Sequence, residues 1–346
     1  MILVANAGSS SLKLSLVRND DTTMEVESLD DAPYGVTAVA HRIVHGGERF
    51  RAPVVIDDAV RDELVALGEL APLHNRVEIG IVDEARRLLP EVPHVAVFDT
   101  AFHTTIPDEV SAYAVPRRWR EEWGIRRYGF HGLSVQWAAE QVAVPRLVVC
   151  HLGAGCSVSA VEDGQSVDTT MGFSPLDGIP MATRSGAVDP AIPLYLIRTG
   201  RREPAEIERE LEEESGLLGL SGLSSRVEQL ERADDPSARL ALAVFVHRLA
   251  GAVAAMTAAL GGLDALVFTG GVGEHSAGVR SAVCRRLAFL GVELDERANG
   301  DAEPDVEIQS GRVRVLVLRA REDVVAAREA RRTLQMTQTS SRAPVS

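Results

Sequence analysis

Hydroxyls, arginines, histidines and one strand-ending carboxylate occur in this sequence where binding an anion would need them. Near the N-terminus, Asn6-Ala7-Gly8-Ser9-Ser10-Ser11-Leu12-Lys13 is a turn of small and hydroxyl residues between two apolar runs. Successive backbone N–H groups in such a turn form a concavity for phosphate, to which Ser9, Ser11 and Lys13 add donors and a positive charge. The second glycine of a P-loop is missing and no helix is predicted next, so this is not a Walker A site. Arg42 lies in Ala38-Val39-Ala40-His41-Arg42-Ile43-Val44-His45-Gly46-Gly47. The β-branched run there predicts a strand, not the helix that an i, i+4 pair of metal-binding histidines would need. Asp99 ends the apolar run Val95-Ala96-Val97-Phe98, at the strand end where α/β sheets place their ligands. His131 stands in Gly129-Phe130-His131-Gly132 beside Arg126 and Arg127, where backbone freedom lets an anion approach closely. Arg184 belongs to the irregular, Gly- and Pro-rich stretch 171–186, the kind of long apolar loop that carries function.

The elements that must position these residues alternate between strand and helix. Residues 2–17 read as a hairpin, and 18–35 as a polar excursion from it. Helices are predicted over 57–70, over 76–89 after a turn at Ala71-Pro72-Leu73-His74-Asn75, and over 134–143. Leu147–Val161 then repeats the plan of the opening hairpin, with Leu152-Gly153-Ala154-Gly155-Cys156 at its tip. Two copies about 145 residues apart predict duplicated domains facing one another, with a ligand held between two glycine-rich turns. Further helices are predicted over 203–214 and 236–260, the second apolar on most faces. Asp264–Ser276 reads as a strand, a glycine loop (Gly270, Gly271, Gly273) and a helix capped near Ser276, suited to a flat or phosphorylated ligand. A strand over 313–318 and a helix beginning at Arg321-Glu322-Asp323 close the fold, and 336–346 reads as a disordered polar tail.

The chain has 346 residues, 45% hydrophobic and 25% charged, with a net charge of −14. That length suits two domains. That charge argues against nucleic acid or an anionic membrane as partner, because polyanions need clustered Lys and Arg. No apolar run is read as long enough to span a membrane and no leader is recognised, so a cytoplasmic protein is expected. Cys150, Cys156 and Cys284 have no metal-ligand spacing and are read as free thiols.

Taken together and in order, the opening motif, His41–Glu48, Ala71–Asn75, Phe98-Asp99-Thr100-Ala101-Phe102-His103, Tyr128–Gly132, His151-Leu152-Gly153 and Phe268–Glu274 resemble acetate kinases over nearly the whole chain. The resemblance implies an α/β protein of two duplicated actin-like (ribonuclease H-like) domains, the first 1–102 plus about 323–335 and the second 103–322. It implies reversible in-line phosphoryl transfer between ATP and acetate with Mg²⁺ or Mn²⁺, giving acetyl phosphate and ADP, in a homodimer. Arg42 and Arg184 would then clamp the carboxylate and the moving phosphoryl group, and His131 would donate to its oxygens. Asn6, Asp99 and Glu322 would hold Mg²⁺. Asn6, Ser9, Ser11, Lys13, Gly153, Gly155 and the 270–273 glycines would serve the phosphates, facing His151. Val44, Leu73, Phe130 and Pro175 would take the methyl group, in a pocket that discriminates propionate only modestly.

Departures from the family gather on the nucleotide side. Ala154 replaces an asparagine, Ser225-Arg226-Val227-Glu228 stand where Asn-Asp-Phe-Arg is usual, and His275 and Arg321 each replace an asparagine. The chain is also shorter between 18 and 38. Arg226 and Arg321 are candidates for an inorganic phosphate, so a pyrophosphate/orthophosphate enzyme is an alternative to ATP/ADP use. A catalytically silent binding protein on the same fold is another.

Overall fold

The computed structural model describes residues 1–7, 12–32, 35–69 and 72–340. Ser9, Ser11 and the side chain of Leu73 lie outside the described residues. The first sheet begins with β1 (Ile2–Ala7) and β2 (Leu12–Val17), paired antiparallel, and continues with β3 (Thr23–Val26) antiparallel to β2. β4 (Ala38–Ile43) runs parallel to β1, β5 (Val54–Val55) is the far edge, and β6 (His94–Phe98) lies parallel to β4. The order is β3-β2-β1-β4-β6-β5.

β7 (Arg146–Leu152), β8 (Cys156–Glu162) and β9 (Gln165–Thr169) form the antiparallel part of a second sheet. It is completed by β10 (Ala265–Thr269), β11 (Val306–Glu307) and β12 (Arg314–Val317). Its order is β9-β8-β7-β10-β12-β11, with β7, β10 and β12 parallel and β11 antiparallel at the edge. The second sheet therefore reproduces the first strand for strand and direction for direction, as the repeated hairpin predicts.

Contacts divide the chain into two units. The first comprises Met1–Thr104, Phe130–Trp137 and Arg321–Ser346, and the second Thr105–Gly129 and Ala138–Ala320. His131 and Glu322 thus share a unit with Asn6, Arg42 and Asp99, whereas His151, Arg184 and the 270–273 loop belong to the second. In the first unit, alternation along β1 sends Ile2 and Val4 to one face against Val324, Val325 and Ala327 of the helix Glu322–Ser340. Leu3 and Ala5 go to the other face, against Ala85 of the helix Pro72–Leu88. Covering both faces explains why β1, β4 and β6 read as continuous apolar runs.

Three expectations change. The turn expected over 71–75 is, from Pro72 on, the opening of the helix Pro72–Leu88. Proline suits the first helical position, where its missing N–H would have no partner and its fixed φ is already helical. The terminal helix persists through Ser340, into the stretch read as a disordered tail, with the Thr337 and Thr339 hydroxyls donating to the carbonyls of Thr333 and Gln335. Residues 341–346 lie outside the described ones. The helix Pro236–Ala259, finally, is long and apolar enough to cross a membrane, with a mean hydropathy of 1.7 over its best window. It packs against the helices Gly216–Ser221 and Ala277–Leu287 and against β8, burying Phe245, Leu249 and Val253. Its apolarity serves that packing. Cys150, Cys156 and Cys284 are unpaired and buried, and burial pushes the thiols of Cys156 and Cys284 up to about 12, out of the range of reactive thiolates.

His41 and His45 do not stand on a helix. His41 lies on β4, and its Nε2 is 3.0 Å from Nδ1 of His94, with the rings stacked 5.3 Å apart. His94 Nε2 faces the carbonyl of Leu89 at 3.1 Å and so must carry the proton, leaving Nδ1 to accept from His41. Burial, then the neighbouring His94 and Arg86, lower the His41 pKa to about 3. The unfolded chain binds a proton near pH 6.5 that the folded chain refuses down to about 3, so stability falls as pH drops below 6.5. Urea unfolding is expected to show wild type losing about 2 kcal/mol more than His41→Gln between about pH 6.5 and about pH 5. Equal losses would remove His41 as the cause.

Candidate active site

Strand register assembles the first cluster. Asn6 pairs with Lys13 across β1 and β2, and with Arg42 across β1 and β4. Directly paired residues share a face of a sheet, so hairpin and crossover bring the three side chains to one side. Asp99 follows β6 by one residue. Arg42 grips it through two hydrogen bonds, Nε to Oδ1 at 2.8 Å and Nη2 to Oδ2 at 2.5 Å, while Nη1 donates to Asn6 Oδ1 at 2.8 Å. Asn6 Nδ2 donates in turn to Glu322 Oε2 at 3.3 Å, and that oxygen is 3.8 Å from Arg42 Nε.

His131 is brought in by a glycine. The Gly132 N–H donates to the Asp99 carbonyl at 2.9 Å, and a Cβ on Gly132 would stand 2.2 Å from that oxygen. Only glycine allows this approach. It leaves His131 itself in the left-handed region at φ 60°, a conformation that non-glycine residues adopt at a cost and that clusters at functional sites. The His131 backbone N–H also bonds Asp99. Val44 and Phe130, two of the expected methyl-pocket residues, are buried in this unit, Phe130 with its ring edge-to-face with His45.

The electrostatics follow from burial. Asp99 is 1% exposed, and burial pushes its carboxyl up while Arg42 pulls it back. Burial disfavours the Arg42 charge, but Asp99 and Glu322 more than offset this and raise its pKa. Of the five guanidinium N–H groups, Asp99 and Asn6 occupy three, which leaves two donors on a fixed fork. The sequence reading missed Glu78, whose carboxyl, 2% exposed, accepts from the Val44 N–H at 3.0 Å. Its signal was present: with Val82, Ala85 and Leu89 it keeps helical core spacing, so an acid stands where an apolar residue is due.

The second unit holds the other candidates. His151, buried on β7, is in register with Ser157 on β8 and Thr269 on β10. At the tip of that hairpin the Gly153 N–H donates to the Gly155 carbonyl at 2.9 Å. Gly270, at φ 76°, packs so close to Leu152 that a Cβ would lie 2.9 Å from its carbonyl carbon. Gly270, Gly271 and Gly273 lie in the short helix Gly270–His275, whose Glu274 accepts from the N–H groups of Gly270 and Ala320. A cavity of about 780 Å³ is lined by Gly153, Ala154, Arg226, Glu231, Gly271 and His275. Three of the four departures from the family pattern therefore border one space. Arg321 belongs to the first unit, where its guanidinium lies over the Trp137 ring at 6.0 Å. Arg184 donates from Nε to Glu212 at 3.2 Å, a partner the sequence did not disclose, and Pro175 is buried in the same unit.

Two sheets of one strand order, each flanked by helices and each ending its central parallel strands at candidate ligands, define a protein of two duplicated actin-like domains. The chain belongs to the Acetokinase family, whose profile matches residues 22–328. It is 48% identical over 314 residues to an acetate kinase of Deinococcus deserti, covering 86% of this chain and 78% of that one. It is 44% identical over 318 residues to an acetate kinase of Nostoc punctiforme, covering 88% and 77%. The crystal structure of a propionate kinase from Francisella tularensis superposes with a TM-score of 0.89 at 34% identity, covering 95% of this chain and 98% of that one.

Because Asp99 is buried, removing its partner alone leaves an uncompensated charge. Arg42→Leu is expected to lower unfolding free energy by about 3–5 kcal/mol, while the double change Arg42→Leu/Asp99→Leu recovers most of it. Denaturant titration of the single and double variants checks this, and equal losses in both would contradict it.

Proposed function

We propose that this chain catalyses reversible phosphoryl transfer between ATP and acetate, giving acetyl phosphate and ADP. The observation that carries the reading is the Arg42 guanidinium, fixed by Asp99 and Asn6 with two donors to spare, in a chain of this family. Carboxylate and phosphoryl oxygens both match that fork. Phosphoryl transfer asks the protein mainly for in-line positioning and for charge opposite the moving group. Arg42 and Arg184 supply the charge and orient the carboxylate, and His131 donates to the equatorial oxygens.

Asp99, Glu322 and the Asn6 carboxamide form a set of hard oxygen donors, and two carboxylates are what Mg²⁺ takes when it shares its other positions with water and substrate phosphates. These residues would hold the ion, directly or through water, and it would neutralise phosphate charge. Ser9, Ser11 and Lys13, together with His151, Gly153, Gly155, Gly270, Gly271 and Gly273, are assigned to the phosphates, and the cavity beside Gly153 and Gly271 to the remainder of the nucleotide. Val44, Leu73, Phe130 and Pro175 are assigned to the methyl group. Propionate should enter as well, since one methylene is worth only about 10- to 200-fold in such a pocket. Nothing in the comparisons favours a pyrophosphate-using or a silent variant.

We also assign a homodimer, because the helix Ala191–Arg198 leaves Ile192, Leu194, Tyr195 and Ile197 between 41% and 64% exposed on one short element. Contiguous apolar surface of this kind marks an interaction site. Three buried unpaired thiols suit a reducing compartment, the cytoplasm.

Acetyl phosphate trapped as the hydroxamate should form from acetate, ATP and Mg²⁺, stop with a chelator and resume with Mg²⁺ or Mn²⁺. Arg42→Lys keeps the charge and loses the fork, and should lower kcat/KM for acetate about 100-fold. Turnover confined to acetyl phosphate and orthophosphate would overturn the ATP assignment. Sedimentation should show a dimer for wild type and a monomer for Leu194→Asp. A wild-type monomer at micromolar concentration would remove the assembly.

A further inference from the structure

Among the described residues, Glu78 is the one buried carboxyl near Arg42 to which the proposed reaction gives no part. It sits on the inner face of the helix Pro72–Leu88 with Oε2 held by the Val44 N–H, two residues beyond Arg42, and with Oε1 lacking a hydrogen-bond partner among the described residues. The charges that act on it are those of Arg42 and Asp99. The elements around it carry other polar groups. His41 is bonded to His94, His45 accepts from the Gly47 N–H, Glu322 faces Asn6 and Arg42, and Arg61 of the helix Asp58–Ala66 is tied to Asp83.

The geometry points to Glu78 as a further residue of the acyl site, a neutral carboxylic acid whose ionisation opposes binding of a carboxylate at Arg42. The inference rests on the acetate kinase reading. Arg42 donates to Asp99 and Asn6 and makes no hydrogen bond to Glu78, so a charge on Glu78 would be buried without a cation bonded to it. Burial accordingly pushes its carboxyl up to about 8. While Glu78 is neutral, the side chains of Arg42, Asp99 and Glu322 sum to one negative charge, before the two positive charges of the Mg²⁺ proposed for Asp99 and Glu322 are added. With or without that ion, ionising Glu78 adds one negative charge at the place where an anionic substrate must meet the guanidinium.

The test is the KM for acetate against pH in wild type and Glu78→Gln, whose amide oxygen can still accept from Val44 but cannot ionise. Acetate itself stays fully ionised over this range. Wild-type KM should rise about tenfold between about pH 7 and about pH 9, the KM for ATP should not follow, and the Gln variant should be flat. A purely structural Glu78 would produce no such pH difference. The same rise in both proteins, or none in wild type, overturns the inference. Absence of acetyl phosphate with every donor would instead sink the acetate kinase reading. In that case, or if the variant fails to fold, the infrared carbonyl band of a protonated acid decides. It should be present in wild type at about pH 7, vanish by about pH 9 and be missing in Glu78→Met, and a wild type without it overturns the inference.

Discussion

The Arg42–Asp99 pair is the constraint to which the first unit is built. Both charges are taken out of water, and a buried pair repays its desolvation only when geometry is good and the remaining polar atoms are satisfied. The surrounding structure supplies those conditions. Asn6 takes the guanidinium nitrogen that Asp99 does not, Glu322 takes the Asn6 amide, and the N–H groups of His131 and Gly132 close around Asp99. Each comes from a different part of the chain, so the pair also organises the first sheet, the helix after Phe130 and the terminal helix. Buried ion pairs are poor sources of stability. One placed at the ends of parallel strands, with donors left over, suits the ligand proposed for it.

Much of this was legible in the sequence, because the relevant signals are local. Hairpins announce themselves by alternation and turn residues, the repeat by its two glycine-rich tips, and Asp99 by the abrupt end of an apolar run. Of the candidates that met in space, Arg42, Asp99 and His131 were recognisable by type and position, and the family resemblance added Asn6, Glu322 and the roles of all five. What sequence could not convey is partnership. The segment Phe130–Trp137 joins the first unit because Gly132 packs on Asp99, a close approach that no propensity encodes. Glu212 under Arg184 and Trp137 under Arg321 are long-range pairings of the same kind. Glu78 is an intermediate case, since an acid in a helical apolar stripe can be noticed by spacing alone, although its neighbour cannot.

Departures from the family pattern sort by place. Ala154, Arg226 and His275 border one cavity of the second unit and so share the lining of a single space. Arg321 is separate. Its guanidinium over Trp137 anchors the start of the terminal helix beside Glu322, and Arg328 lies over the same ring at 5.4 Å.

The matching strand order has a consequence for how the two halves have diverged. Asn6, Lys13 and Arg42 occupy in the first sheet the register positions that His151, Ser157 and Thr269 occupy in the second. One scaffold thus presents the same three addresses twice, filled once with two cations and a carboxamide and once with an imidazole and two hydroxyls. Duplication relieves each copy of half the demands. The two copies have specialised apart, one bearing the desolvated charges and the left-handed His131, while its sibling has an imidazole and two hydroxyls at the corresponding places.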